Sequence, residues 1–153
     1  MTQTEIIQIL SGFVGSIGFA ILFNIRGKRL LAASIGGLLC WLLYVLLNRS
    51  IENAVITYFV VSGMITVYAE IMARVLKSPT TTFIITSLVP MIPGGSLYNT
   101  MVSVFKNNEG DFIQRAVHTL ELAAALALGV VAVTTFMRFL QKAIQYRKSQ
   151  KTC

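Results

Sequence analysis

The residues best suited to chemistry lie in the stretch 80–105, TTTFIITSLVPMIPGGSLYNTMVSVF. Its centre, Pro90 to Gly95, cannot continue a helix, because proline lacks the backbone donor and a glycine pair is a poor helix interior. A half-helix that begins after this break presents unpaired N–H groups from Gly94 to Leu97 and a partial positive charge, both of which suit a carboxylate. The candidate substrate-binding residues are Pro90, Pro93, Gly94, Gly95, Ser96, Tyr98 and Asn99. The alternative is a proline kink that serves packing alone.

A second group of candidates lies near the end of the third apolar stretch. Glu70 and Arg74 stand at i, i+4 and share a helical face, so their side chains can pair. An ionisable residue inside a membrane span is costly and usually functional. We interpret this pair as an inner gate or proton-coupling site, or else as an interfacial ion pair. Asn24, beside Arg26, is interpreted as a helix C-cap or as a ligand at the inner mouth.

A third candidate pair, His118 and Glu121, lies at i, i+3 in the last apolar stretch. A histidine and a carboxylate on one helical face can relay protons or bind an amino group. A polar contact with another helix or a partner subunit explains them equally well. The pair is therefore a candidate for coupling or gating.

The composition is that of an integral membrane protein. The chain is 55% apolar and only 12% charged, about half the charged fraction of an ordinary soluble domain. The net charge of +7 resides in short loops and the tail, which favours membrane topology over nucleic-acid binding. One histidine and two scattered cysteines predict no metal site, and no cofactor is expected.

The pattern predicts an all-α, polytopic fold with five transmembrane segments, the fourth broken at Pro90–Gly95. We expect a single transmembrane domain over 1–140 and a basic cytoplasmic tail over 141–153. The predicted spans cover residues 6–25, 30–47, 51–76, 80–105 and 112–140, with a turn at 48–50. The last is longer than a bilayer needs, so it must tilt or project.

Small and aromatic residues mark the first two spans. Gly12, Gly15 and Gly18 predict a thin face along the first span, for close helix packing or for lining a substrate path. Trp41 and Tyr44 are expected at the outer end of the second span, where aromatic anchors occur.

The lysines and arginines predict the orientation. If the broken stretch crosses fully, ten basic residues fall on one side and three on the other, whereas a re-entrant hairpin divides them seven to six. The positive-inside rule favours the full crossing, with the N-terminus outside and the C-terminus inside. The ten inside residues are then Arg26, Lys28, Arg29, Arg74, Lys77, Arg138, Lys142, Arg147, Lys148 and Lys151.

Several motifs in this order resemble the threonine/serine exporter family. They are residues 18–24 before a basic loop, Trp41 and Tyr44, the Glu70-x-x-x-Arg74 element, and Pro90-x-x-Pro93-Gly94 followed by Tyr98. The resemblance covers about residues 12–104 and is to the short form, equivalent to the C-terminal half of fused exporters. It implies a bacterial inner-membrane protein that works with a larger membrane subunit. It also implies export of threonine and serine, or of succinate-like dicarboxylates as in two-subunit relatives.

We therefore expect the small subunit of a secondary exporter for a carboxylate-bearing metabolite, with membrane lipid around it. A homo-oligomer is left open. The alternative is a non-transporting scaffold or regulatory subunit. An enzyme is not expected, because the apolar stretches contain no second aspartate, no metal cluster and no serine–histidine pair with a convincing base.

Overall fold

A computed structural model describes residues 3–105 and 109–150, with side chains over 3–105 and 110–143. Throughout those ranges the secondary structure is helical, and no strand occurs, so the predicted all-α class is confirmed. The elements are α1 (Gln3–Leu22), α2 (Lys28–Ser50), α3 (Ala54–Val75), α4 (Thr80–Leu88), a 3₁₀ turn (Val89–Met91), α5 (Gly94–Phe105) and α6 (Glu109–Gln150).

The broken segment continues across the bundle rather than turning back. Four helices, α1, α2, α3 and α6, are long and apolar enough to cross a membrane, and α4 with α5 forms a fifth, bent span. The bend is 53°. A re-entrant hairpin would require the second half to reverse by more than 90°, so the bent pair is a broken span, as predicted.

The junction between α2 and α3 differs from the prediction. The turn expected at 48–50 is helical, and α3 begins at Ala54 rather than at residue 51. Asn53 determines this start, because its side chain accepts hydrogen bonds from the amides of Val55 and Ile56. Near this junction, Arg49 of α2 pairs with Glu5 of α1, so these two helix ends lie together.

The last helix is much longer than a bilayer is thick. Its 42 residues span about 63 Å, against a hydrocarbon core of about 30 Å, so it tilts or projects as expected. The helix runs without a break through residue 140, the predicted end of the transmembrane domain, and reaches Gln150. The predicted tail residues 151–153, and Lys106 in the preceding loop, lie outside the described residues.

The second helix is the centre of the packing, and it contacts α1, α3 and α4. Its two adjacent glycines allow this. A β-carbon on Gly36 would overlap Ser87 of α4, and one on Gly37 would overlap Ser16 of α1. Tyr68 of α3 adds a hydrogen bond of 2.8 Å from its hydroxyl to the carbonyl oxygen of Ala32. Hydroxyl-bearing and small side chains thus bring four helices together, as is common in membranes.

The predicted thin face of α1 is only partly correct. Gly12 lies against Pro90 and Trp41, but a β-carbon on Gly15 or Gly18 would meet nothing within 4 Å. The reason is geometric: three residues advance a helix by about 300°, so each glycine lies about 60° away from the last.

The two aromatic residues predicted as anchors, Trp41 and Tyr44, contact each other and α3. The Trp41 and Tyr44 rings lie 5.1 Å apart, and Tyr44 meets Tyr58 of α3 edge to face at 5.5 Å. Both side chains of α2 are therefore half-buried between helices.

Candidate functional site: a helix break at mid-depth

The break lies at the middle of the bundle. α4 ends at Leu88, and the 3₁₀ turn carries the chain to Met91. The Met91 sulfur lies 3.7 Å from the Cys40 sulfur. Cys40 is twelve residues from the start of α2 and ten from its end, or about 18 Å and about 15 Å. The break therefore lies level with the middle of α2.

Two of the four predicted amide donors are already occupied. The Gly94 amide donates to the carbonyl two residues earlier at 2.6 Å, and the Leu97 amide donates to the Pro93 carbonyl at 3.0 Å. Within the described part of the chain, no acceptor is found for the amides of Gly95 and Ser96. Two free amide donors, rather than the four that the sequence predicted, are therefore available at this helix start.

One side of the break is closed. Met91 is fully buried in the core formed with Cys40, Val61 and Ile65, and Pro93 is buried as well. This packing gives the kink a structural role, which was the alternative interpretation, and it holds the start of α5 in place.

The other side of the break is open. A β-carbon on Gly94 or Gly95 would meet nothing within 4 Å, and Ile92 is 55% exposed. Tyr98 is 69% exposed, and Asn99 is exposed beside it. The described residues therefore present the predicted carboxylate site on an outer surface and do not enclose it.

The hydroxyls in the last turn of α4, just before the break, face the interior. Thr86 and Ser87 are completely buried, the former donating to the Thr82 carbonyl oxygen at 2.8 Å and the latter to the Ala33 carbonyl oxygen at 3.5 Å. They serve helix packing and do not line the open side.

A groove of about 280 Å³ adjoins the closed side of the break. It is lined by Gln8, Ser11, Gly12, Trp41 and Pro90. The indole nitrogen of Trp41 is buried and has no hydrogen-bond partner. The groove was not predicted from the sequence, although Gln8, Ser11 and Gly12, at i, i+3 and i+4, form a polar and small face of α1 that indicates it.

Glu70 does not lie beside the break. The contacts of Tyr68 with Ala32 and of Met91 with Cys40 place Glu70 about 15 Å away along the bundle, towards the end of α3. Glu70 is only 7% exposed, and its carboxylate lies 3.6 Å from the half-exposed Arg74 guanidinium. The predicted pair is present, and it is partly buried.

His118 and Glu121 lie in another part of the molecule. Their side chains are 3.7 Å apart, and both are about half exposed. The hydroxyl of Thr119, between them in sequence, lies 3.1 Å from that of Thr100, which places them near the middle of α5. The proposed coupling residues therefore occupy two separate levels of the bundle.

Asn24 ends the first helix in the way predicted for a cap. Its φ of 55° is left-handed, and its side chain accepts a hydrogen bond of 3.0 Å from Arg26 Nε. It also lines a cavity at this end of the bundle together with Arg26 and Arg29. In the part of the chain that the structure describes, no three ligand side chains group as a metal site.

The threonine/serine exporter family, described as "Threonine/Serine exporter, ThrE", matches residues 8–136 of this chain. This chain belongs to the threonine/serine exporter family. The suspected family is thereby confirmed, and a multi-pass transporter of the exporter type follows from it together with the apolar helices. Exporters of this family are not a class of enzymes. No curated protein and no solved structure matches the chain.

Proposed function

We propose that this chain is the small subunit of a secondary exporter. It moves a carboxylate-bearing metabolite, threonine or serine or a succinate-like dicarboxylate, out of the cell through the bacterial inner membrane. The observation that carries the proposal is the start of α5, where the amides of Gly95 and Ser96 have no acceptor among the described residues and a β-carbon on Gly94 or Gly95 would meet nothing within 4 Å. A helix N-terminus of this kind favours an anion.

The open side supports a second membrane subunit. A substrate carboxylate needs walls that exclude lipid, and this chain builds only one of them, through Met91 and Pro93. The partner proposed is the larger membrane protein that corresponds to the N-terminal half of fused exporters. It would cover Gly94, Gly95 and Tyr98 and complete the path. A second copy of this chain is the other arrangement to be tested.

The distribution of charge supports an outside N-terminus and an inside C-terminus. Arg26, Arg29, Arg74 and Lys77 lie at one end of the bundle, and only Arg49 of the described basic side chains on α1 to α5 lies at the other. The positive-inside rule places the first group in the cytoplasm.

Efflux measurements test the proposal. The chain is expressed alone and with the product of the gene next to its own, in a host lacking its own exporters for these metabolites. We expect faster efflux of labelled threonine, serine or succinate only when both are present. Efflux that is unchanged for all three would contradict export and would favour the scaffold or regulatory role.

A matched pair of variants then tests the site. Gly94→Leu should abolish efflux with membrane insertion intact, because its β-carbon would meet nothing within 4 Å among the described residues and projects into the proposed path. Gly18→Leu is the control, since Gly18 is an equally open glycine on α1. If Gly94→Leu and Gly18→Leu support the same rate of efflux, the break is not part of the substrate path.

A further inference from the structure

A cavity of about 470 Å³ opens at the end of the bundle where α1 meets α2 and α3 meets α4. It is separate from the helix break and from the groove beside Trp41. Two of its lining residues are arginines, and none of them is acidic. The lining consists of Phe23, Asn24, Ile25, Arg26, Arg29, Ser78, Pro79 and Thr82.

The two loops that wall this cavity have the same fixed geometry. Asn24 and Lys77 both have left-handed φ, 55° and 48°. The amide of the residue that follows each of them donates a hydrogen bond to the preceding helix. The Ile25 amide donates to the Ala20 carbonyl oxygen, and the Ser78 amide donates to the Ala73 carbonyl oxygen, both at 2.9 Å. This is a helix-ending motif in which the chain is tightly hydrogen-bonded. The cavity is therefore preformed.

No carboxylate among the described side chains neutralises the positive charge in the cavity. Arg26 donates through Nε to the neutral Asn24 side chain, which leaves the rest of its guanidinium available. Neither Arg26 nor Arg29 forms an ion pair with any carboxylate in the described ranges. Both lie at the start of α2, where Gly27 provides no side-chain cap and the helix dipole disfavours positive charge.

We infer that this cavity is an oxyanion site, which binds a carboxylate or phosphate group through Arg26 and Arg29. A guanidinium fork matches both groups, and the hydroxyl of Thr82 is a further donor in the lining. A bound anion would offset the positive charge of the two arginines and would interact favourably with the dipole at the start of α2. The same chemistry has two sources, a soluble carboxylate and the headgroup of an anionic phospholipid.

The site has a direct meaning for transport. If the orientation proposed above holds, the cavity faces the cytoplasm and lies at the inner entrance of the export path. That role rests on the proposed function, but anion binding does not. The competing explanation is that these arginines only orient the protein in the membrane through the positive-inside rule, which requires basic residues near this helix end but no binding site. Lys28 discriminates between the two, because it lies in the same loop but does not line the cavity.

The test uses the purified full chain in nanodiscs. In one arm, discs of neutral phosphatidylcholine are titrated with succinate and with inorganic phosphate by calorimetry. In the other, discs containing phosphatidylglycerol are examined by native mass spectrometry for retained anionic lipid. We expect anion binding in at least one arm, and the arm identifies the source. The double variant Arg26→Gln/Arg29→Gln should weaken it about tenfold or more.

Three controls make the result decisive. Lys28→Gln should leave binding unchanged, and Arg26→Lys/Arg29→Lys should restore part of it, because charge is retained and the fork is lost. All variants must elute as wild type in size exclusion. Absence of binding in both arms, or an equal loss in Lys28→Gln, would overturn the inference. Gly94→Leu should still bind, so a failure of export is distinguishable from a failure of this site.

Discussion

Gly36 of α2 lies directly against Ser87 of α4. A β-carbon at Gly36 would stand 2.8 Å from the Ser87 β-carbon and 3.0 Å from a ring carbon of Tyr68 in α3. Three helices therefore meet at one residue without a side chain. Because α4 leads straight into the break, this contact also fixes the position of the proposed site.

Replacing Gly36 should loosen the bundle. In Gly36→Ala, the new methyl group has no room, so we expect a destabilisation of about 1 to 3 kcal/mol. Gly15→Ala is the matched control: its β-carbon meets nothing within 4 Å, and the alanine should be neutral or slightly stabilising. Thermal unfolding in detergent, followed by the fluorescence of the single tryptophan, measures both. A Gly36→Ala protein as stable as Gly15→Ala would show that the helices are not in this contact.

The Glu70–Arg74 pair should respond asymmetrically to neutralisation. Arg74→Gln leaves a buried carboxylate without its partner, whereas Glu70→Gln removes the buried charge itself. Because the guanidinium is half exposed, we expect a modest difference: Arg74→Gln should be about 1 to 2 kcal/mol less stable than the double variant. Denaturant titration of the four proteins of the cycle provides the comparison. If the double variant is the least stable of the four, the carboxylate is not held as a buried charge.

Trp41→Phe tests the groove next to the break. The indole nitrogen has no partner, so its removal breaks no hydrogen bond, and a six-membered ring remains to pack on Tyr44. We therefore expect only the small loss of stability that comes from the smaller side chain. If the groove holds exported substrate, the KM for efflux should rise about tenfold, the effect of losing one hydrogen bond to a charged group. Tyr44→Phe serves as the control for a polar atom removed outside the groove lining. Wild-type KM in Trp41→Phe would exclude the groove from the path.

Removing the exposed pair on α6 should matter little for stability. His118 and Glu121 are both about half exposed, and an exposed ion pair contributes about 0 to 1 kcal/mol. We expect His118→Gln and Glu121→Gln to unfold within about 0.5 kcal/mol of wild type. Should either lose several times that amount, a buried contact with another subunit is the better explanation. Efflux assays on the same two variants show whether they take part in coupling.

The sequence was sufficient for the architecture. Apolar stretches of bilayer length, interrupted by charged loops, predict the number of spans, and two prolines followed by two glycines predict the break. The family was also recognisable, because the Glu70-x-x-x-Arg74 and Pro90-x-x-Pro93-Gly94 elements occur in its order. Local composition governs these features, so they can be read without tertiary information.

The arrangement of the site could not be predicted in the same way. The distance of Glu70 from the break depends on how α3 is shifted along α2, which the contact of Tyr68 with Ala32 determines. The groove at Trp41 is formed by three elements that are far apart in sequence. Which face of the break would be open also depends on packing partners, and periodicity along one helix does not specify them.

The most direct test of the account is the water accessibility of Gly95 during transport. In a Cys153→Ser background, where Cys40 is buried, Gly95→Cys is treated with a membrane-impermeant thiol reagent, with Gly18→Cys as the comparison position. Thiols react as thiolates, which form in water and not in lipid. We predict that Gly95→Cys is labelled when the partner is present, and that exported substrate slows the labelling, while Gly18→Cys stays unlabelled. Gly95→Cys that resists labelling, or labels at a rate that no exported substrate changes, would contradict a substrate path through the break.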